Sequence, residues 1–343
     1  VSPRVGLGLP VYNGAEYIGQ ALDALLAQTF RDFEIVICDN ASDDDTDAIC
    51  RAYAERDPRI RYYRNDRNRG VAYNFRRVFE LSRGEYFKWA VHDDLCEPTY
   101  LERCVEVLDR EPSALLCYPK TILIDGRGRE IEPFEDRMDL PHARPHERLA
   151  HLHRYLRLCH CGLGLIRSEM LRRTRLIDGF ESSDVVLLEE LAMMGRFREH
   201  PEPLYRRRIH DASSFGAYTS AAEYAARMDP ANRGRYAMPR TTLFRESFRS
   251  IARAPISRRQ KWLCAWVLLK DWGPRYWRVL GGEYKRYPAW WWRRHVLRRP
   301  EEPGPRSGAA ADRGPVRLRS RSGAGRGPLR RRDSPESRAT RAG

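Results

Sequence analysis

The chain has 343 residues, is 42% hydrophobic and carries a formal charge of +15, enough for one large or two modest domains with a real core. The charge is uneven: residues 253–299 hold 13 Lys and Arg against 2 acidic residues (+11), residues 301–343 hold 11 against 5 (+6), and residues 1–252 sit near −2. A near-neutral body with a basic appendage argues against a uniform nucleic-acid binder.

Residues 5–11 read as a buried strand, broken by Tyr12-Asn13-Gly14. Asn13 with Glu16 has the form of an N-cap and capping box. Ile18, Ala21, Leu22, Leu25 and Leu26 then recur at helical spacing. Residues 34–38 form a second apolar strand ending in Asp39, and Ser42 with Asp45 opens the next helix. A third strand covers 59–63. Asn68-Arg69-Gly70 turns into a helix with Phe75, Val78 and Phe79 on one face. A fourth strand, 85–91, runs into His92-Asp93-Asp94. A helix follows Pro98, and 114–118 is a fifth strand. Continuous apolar strands alternating with helices predict a parallel sheet covered on both faces.

Ligands of such sheets bind beyond the strands' C-terminal ends. The residues there are Tyr12, Asn13, Asp39, Asn40, Asp93 and Asp94. Farther on, 126–145 reads as a long loop, followed by a helix from 146, a strand at 163–166 and a helix capped by Ser168. An amphipathic helix, 184–194, ends at Gly195. Two short extended pieces surround Pro201 and Pro203. The pattern is irregularly helical after 215, and from 301 it has the composition of disorder.

The eight cysteines form no CxxC pair, and Cys38, Cys50, Cys104 and Cys117 lie in apolar runs. They read as buried, reduced thiols of a cytoplasmic protein. Cys159-His160-Cys161 lacks the spacing of a zinc site. No signal-peptide pattern is visible, and no apolar run approaches the roughly 20 residues that span a bilayer.

Bare carboxylates on the ligand edge would repel a nucleotide diphosphate. A divalent ion, Mg²⁺ or Mn²⁺, reverses that repulsion by binding carboxylate and phosphate oxygens together. Gly6-Leu7-Gly8 lacks the third glycine of a dinucleotide fingerprint.

The segments "LPVYNGAEYIGQALDALLAQTFRDFEIVICDNASDDDT" and "NRGVAYNFRRVFELSRGEYFKWAVHDD" resemble the nucleotide-sugar half of a family 2 glycosyltransferase of GT-A fold. "GLGLIR", "SSDVVLLEELAMMGRF" and "PEPLYRRRIH" resemble its acceptor half. The resemblance runs in order from about residue 5 to 215. It implies an α/β GT-A fold with a mostly parallel sheet. A glycosyltransferase domain would span 1–215, split into 1–118 and 119–215. A basic, tryptophan-rich helical extension (216–300) and a disordered tail (301–343) would follow.

It also implies roles. Pro10, Val11, Tyr12 and Asn13 would line the base and ribose pocket, with Glu16 and Asn40 nearby, and Asp39 would hydrogen-bond the base. Asp93 would bind Mn²⁺ or Mg²⁺ with Asp94 beside it, and His210 would lie near the metal and diphosphate. Asp184 would be the catalytic base. The chain departs from the family pattern at Val91-His92-Asp93, where the first carboxylate of the DxD-type motif is absent. It also departs at Asn40-Ala41 and at Ser183-Asp184.

The implied activity is metal-dependent, inverting, non-processive transfer of one sugar from a nucleotide-sugar donor to a glycan or lipid-linked acceptor. Polysaccharide or glycoconjugate synthesis would be its setting. Arg259-Gln260-Lys261-Trp262 does not match the QxxRW signature of processive synthases. A nucleotidyltransferase is one alternative, and a non-catalytic polyanion-binding protein is another. From position alone, Asp184 reads equally as a helix cap, with Glu189 and Glu190 as rival bases. Arg206, Arg207 and Arg208 could include a phosphate contact.

Seven of the eight tryptophans lie between Trp262 and Trp292, interleaved with Arg and Lys. Such a helix suits an anionic membrane surface, here the inner face of the plasma membrane. The competing reading is a packed subdomain with its tryptophans buried. No motif for specific nucleic-acid recognition is present.

Overall fold

Two strands with no exposed residue set the architecture: β1 (Val5–Val11) and β2 (Phe33–Asp39) are buried along their whole length. A strand apolar on both sides needs helices on both faces, and the intervening segments supply them. The computed structural model describes residues 2–210 and 220–295, the side chains of 272–276, 293 and 295 excepted. Next to β1 and β2 come α1 (Ile18–Leu26), α2 (Thr46–Arg56), β3 (Ile60–Arg64), α3 (Val71–Leu81), β4 (Tyr86–Trp89), a short β5 (Leu95–Cys96) and α4 (Tyr100–Arg110). The strands β3, β2, β1 and β4 are parallel neighbours, with Val5 opposite both Phe33 and Tyr86.

Beyond β4 the sheet is mixed. It continues through β6 (Ala114–Ile124), β8 (Leu165–Arg167) and β9 (Arg196–Arg208) in the order β3-β2-β1-β4-β8-β6-β9-β5, with β7 (Glu130–Phe134) paired to β6. The short β8 runs antiparallel to both β4 and β6, and β9 runs parallel to β6. Two helices lie over this half, α5 (Pro145–Tyr155) and α7 (Ser183–Met194), with a short α6 (Ser168–Arg172) between them. The C-terminal part is helical: α8 (Ala221–Met228), α9 (Pro239–Arg253) and α10 (Arg258–His295). This α/β architecture, a sheet flanked by helices and followed by a C-terminal helical part, is the one the resemblance implies. Residues 301–343 lie outside the described residues.

Several local expectations change. The segment 126–145 is not all loop, because Glu130–Phe134 pairs as β7 antiparallel to β6. The two extended pieces around Pro201 and Pro203 are one strand, β9, whose pairing with β6 shifts register between Pro119 and Thr121. Pro201 and Pro203 are tolerated at that irregularity, where ladder donors are not needed. The helix 184–194 forms as expected but is buried nearly all round, so it is a core helix rather than an amphipathic one.

Three expected caps are absent. The α1 helix starts only at Ile18, after Tyr17. Ser42 is drawn to Asp39 instead of opening α2. Ser168 donates its hydroxyl to the Gly84 carbonyl.

Cores lie on both sheet faces. A third cluster joins Leu149, Val185, Val186 and Met193 to Leu243, Ile251, Cys264 and Leu268, seating α9 and α10 on α5 and α7. The cysteines are all free and six are buried.

The start of β9 is pinned by Glu111, which accepts from Arg198 at 2.6 and 2.7 Å and from Arg196 at 3.3 Å. The Arg198 hydrogen bonds outweigh burial and hold the Glu111 carboxyl at about 2. Its folded value is below its unfolded one, so this stabilisation is full above about pH 4.5 and is lost as pH falls towards 2. Glu111→Gln should cost about 1–2 kcal/mol at neutral pH after allowance for partial solvent screening. Urea melts should show the gap to wild type closing between pH 4.5 and 2. A gap that is constant with pH would mean the pair contributes nothing electrostatic.

Candidate active site

The C-terminal ends of β1 and β2 are joined by polar side chains. Asp39 is fully buried. Its Oδ1 accepts the Ser42 amide and hydroxyl, and its Oδ2 accepts from Tyr62 at 3.1 Å and Arg64 at 2.9 Å. Ser42 Oγ then accepts the Asn13 amide, Thr46 Oγ1 accepts the Gly14 amide, and Asn13 Oδ1 accepts the Asp43 amide. Asn13 has φ +51°, a left-handed conformation that asparagine tolerates better than most residues. Its side chain therefore bridges two loops instead of capping α1.

Asn40 is likewise consumed. It donates to Asn68 Oδ1 and the Gly70 carbonyl and accepts from Asn65 and the Arg69 amide. Gly70 has φ +90°, and a Cβ there would meet the Met228 carbonyl at 2.7 Å. Pro10 and Val11 are buried in the strand, Tyr12 is exposed at its end, and Glu16 is exposed. Of the residues expected around a base, Tyr12 and Asn13 face solvent, whereas a base would reach Asp39 only by displacing Tyr62 or Arg64.

The second pole is the exit of β4. Asp93 and Asp94 are adjacent but point to different partners. Asp94 is buried, accepts from the Tyr205 hydroxyl and the Arg208 amide, and lies 3.7 Å from Arg207. Burial raises its carboxyl above the ordinary value, and Asp93 adds to that rise. Asp93 Oδ2 instead meets His210 Nε2 at 3.2 Å. Burial pushes the Asp93 carboxyl up, but His92, Arg207 and the His210 hydrogen bond outweigh it, so its net shift is downward. The structure thus brings Asp93 and His210 together and turns Asp94 into the sheet.

Arg208 holds this pole in place. It is fully buried. Its guanidinium donates to the carbonyls of Asp93, Asp125 and Gly126 and to Gln20 Oε1, all within 3.3 Å, and lies over the Tyr17 ring. Tyr17 also packs on His210, with centroids 5.0 Å apart. One side chain therefore links the loops after β4 and β6 to α1, with no carboxylate partner among the described residues. Arg206 pairs with Glu97 and Glu130, away from this pole. A two-residue period counted from buried Leu204 puts Arg206 on the same face as Arg208, so alternation alone does not single out Arg208, and a run of three arginines reads first as a solvated edge.

Asp184 lies in the first turn of α7, after Ser182 at φ +64°. Its Oδ1 accepts the Val185 amide at 2.9 Å, and among the described residues its Oδ2 has no protein donor. Its charge reaches the buried Cys161 thiol, which burial holds well above its ordinary value. That places α7's first turn beside the 3-10 turn His160–Leu163. In the same turn His160 Nδ1 lies 3.2 Å from the Asp136 carboxylate, so the histidine of the Cys-His-Cys stretch is engaged with a buried side chain. Of the rival bases, Glu189 is buried against His153 and Glu190 is held by Arg175. Among the described residues no group of three or more His, Cys, Asp or Glu is placed to hold a metal ion.

Residues 7–173 match the family model described as Glycosyl transferase family 2. An uncharacterized glycosyltransferase of Rickettsia typhi is 34% identical over 131 residues, which is 38% of this chain and 40% of that protein. Chondroitin synthase of Escherichia coli is 28% identical over 218 residues, 61% of this chain and 29% of the synthase. The chain spans well under half the length of these relatives. Among solved structures, Staphylococcus aureus TarS 1-349 in complex with UDP-GlcNAc superimposes with a TM-score of 0.60 at 16% identity, covering 84% of this chain and 78% of that one.

The Arg208 clamp generates a direct expectation. Arg208→Met strips a donor from four acceptors and should lower stability by about 3 kcal/mol or more, the scale of breaking a buried charged network. Arg208→Lys should not rescue it, because one ammonium cannot span acceptors on three segments. Chemical denaturation of the three proteins checks this; a lysine variant as stable as wild type would show that charge alone suffices.

Proposed function

Residues 7–173 belong to glycosyl transferase family 2, and from that premise we propose that this chain transfers one sugar from a nucleotide-sugar donor to a hydroxyl of a glycan or lipid-linked acceptor, with inversion and without processivity. The observation that supports this best is the pairing of Asp93 with His210 beside the β1–α1 loop, where Tyr17 packs on His210. Exposed Tyr12 and Asn13 would take the base and ribose at the first pole, and the diphosphate would extend towards Asp93 and His210. The catalytic domain would cover 1–215, with 216–300 as its extension.

An Mg²⁺ or Mn²⁺ ion fits this pair. Asp93 Oδ2 and His210 Nε2, 3.2 Å apart, would hold it with one oxygen and one nitrogen donor. Two protein ligands suffice where substrate phosphates and water complete the shell. When bound, the ion would neutralise charge on the departing diphosphate.

The chain's own residues do the rest. Asp184 Oδ2 takes the proton of the acceptor hydroxyl as its oxygen bonds the anomeric carbon, and the bond from that carbon to the phosphate oxygen breaks on the opposite side. Asp184 serves here as the general base, from the first turn of α7. Asp94 stays a support.

A thermal-shift panel of nucleoside diphosphates, each with and without Mn²⁺ or Mg²⁺, tests the reading, since a ligand of the folded state raises apparent stability by mass action. One base should stand out, and only with metal. Asp93→Asn should remove the metal-dependent part of that shift; an undiminished shift would overturn the metal assignment. Asp184→Asn should keep donor affinity while turnover falls on the order of 10²–10⁴-fold. Turnover near wild type would reduce Asp184 to a helix cap.

A further inference from the structure

The two faces of α10 differ. Its inner face carries Cys264 and Leu268, both fully buried against α9, α5 and α7. Its outer face carries Trp262, Trp266, Leu269, Trp277, Tyr284 and Tyr287, all exposed, with Trp262 at 73%, Trp266 at 56% and Trp277 at 62%. At 100° per residue these six fall within an arc of about 80° along a helix about 57 Å long. The expectation of a packed subdomain with buried tryptophans is thus half met: the helix packs, but through other residues.

Charge decides what this stripe suits. The α10 segment holds 10 Lys and Arg against 2 acidic residues. One of the two, Glu283, is buried and accepts the Arg240 and Thr241 amides at the start of α9. Asp271 is then the one acid left on the outside of α10. Arg258, Arg259, Lys270 and Arg294 are exposed, and on the same wheel they lie within about 20° of the stripe's borders. A second copy would bring like charges together. The segment 301–343 is itself basic, at +6, and is no complement either.

We propose that the outer face of α10 docks on an anionic phospholipid surface, with its aromatic side chains at the headgroup level and its cations on the lipid phosphates. Indole and phenol rings favour that boundary because one end is apolar and the other polar, and each nearby cation adds attraction to anionic lipid. No described helix is long and apolar enough to cross a membrane, so the contact lies along the surface. It does not depend on the reaction proposed above.

Co-sedimentation of the full chain with phosphatidylcholine vesicles, with and without phosphatidylglycerol, tests this. Binding should require phosphatidylglycerol, weaken in high salt, and shift tryptophan emission to the blue. Trp89 is already buried, so such a shift reports on the late tryptophans. Trp262→Ala, Trp266→Ala and Trp277→Ala combined should weaken partitioning on the order of tenfold without moving Tm or the nucleotide-induced thermal shift. If that variant folds poorly, Arg259→Glu with Lys270→Glu should show the same loss. No binding to anionic vesicles would overturn the proposal. So would wild-type binding by both variants, which would assign attachment to charge elsewhere. A vesicle-free dimer abolished by the alanine variant would overturn it too, making a second copy the occupant.

Discussion

The buried carboxylate of Asp94 is the constraint on which the candidate site rests. A carboxylate taken out of water is costly unless every lone pair finds a donor. Here the donors are the Tyr205 hydroxyl and the Arg208 amide, with Arg207 close by. All three belong to β9, more than a hundred residues away in sequence. Satisfying Asp94 therefore fixes the exit of β4 to the end of β9, and the Arg208 side chain repeats the tie by binding the Asp93 carbonyl. With the backbone held from both sides, the Asp93 carboxylate is left to face His210. The paired carboxylates divide their work: one builds the turn, and its neighbour is presented.

The other pole follows the same logic, with neutral amides around one satisfied carboxylate. Asp39 is met by Ser42, Tyr62 and Arg64, Asn40, Asn65, Asn68 and Asn74 bond one another, and Asn74 donates to the carbonyls of Val11 and Cys38. This joins the ends of β1 and β2 before any ligand arrives. Preorganisation of that kind lowers the ordering cost of binding. It also shifts recognition outward, to the exposed Tyr12 and Asn13 at the end of β1.

Much of this was legible in the sequence because it follows from short-range pattern. Buried strands of seven residues, separated by helical spacing, predict the parallel half directly, and the run into His92-Asp93-Asp94 marks the ligand edge. What could not be read depends on distant partners. Nothing near Asp94 in sequence says that Tyr205 will donate to it, so the two carboxylates read alike. Ser42, Asn13 and Ser168 have the composition of caps, yet each finds a tertiary partner that competes successfully for its oxygen. The β9 strand was split by its prolines because a local reading treats proline as a break, whereas the register shift against β6 absorbs it. The burial of α7 on all sides comes from α5 and α9, elements its own periodicity cannot reveal.

The C-terminal helices are more than an appendage, because they brace the helix that carries Asp184. Val185 and Val186, its immediate neighbours, pack in the same cluster as Leu243, Ile251 and Leu268. Farther along α7, Glu190 accepts from Arg175, whose guanidinium also reaches Glu246 and Ser250 of α9. The α9 helix in turn receives its N-terminal cap from Glu283 of α10. A continuous set of buried contacts thus runs from the exposed aromatic face of α10, through α9, to the first turn of α7. Whatever surface that face meets, the orientation of the Asp184 helix relative to it is set by packing rather than by a flexible tether. If the proposed transfer takes an acceptor held at the same surface, that fixed orientation would limit the approach of its hydroxyl to a narrow range of directions, as in-line displacement requires.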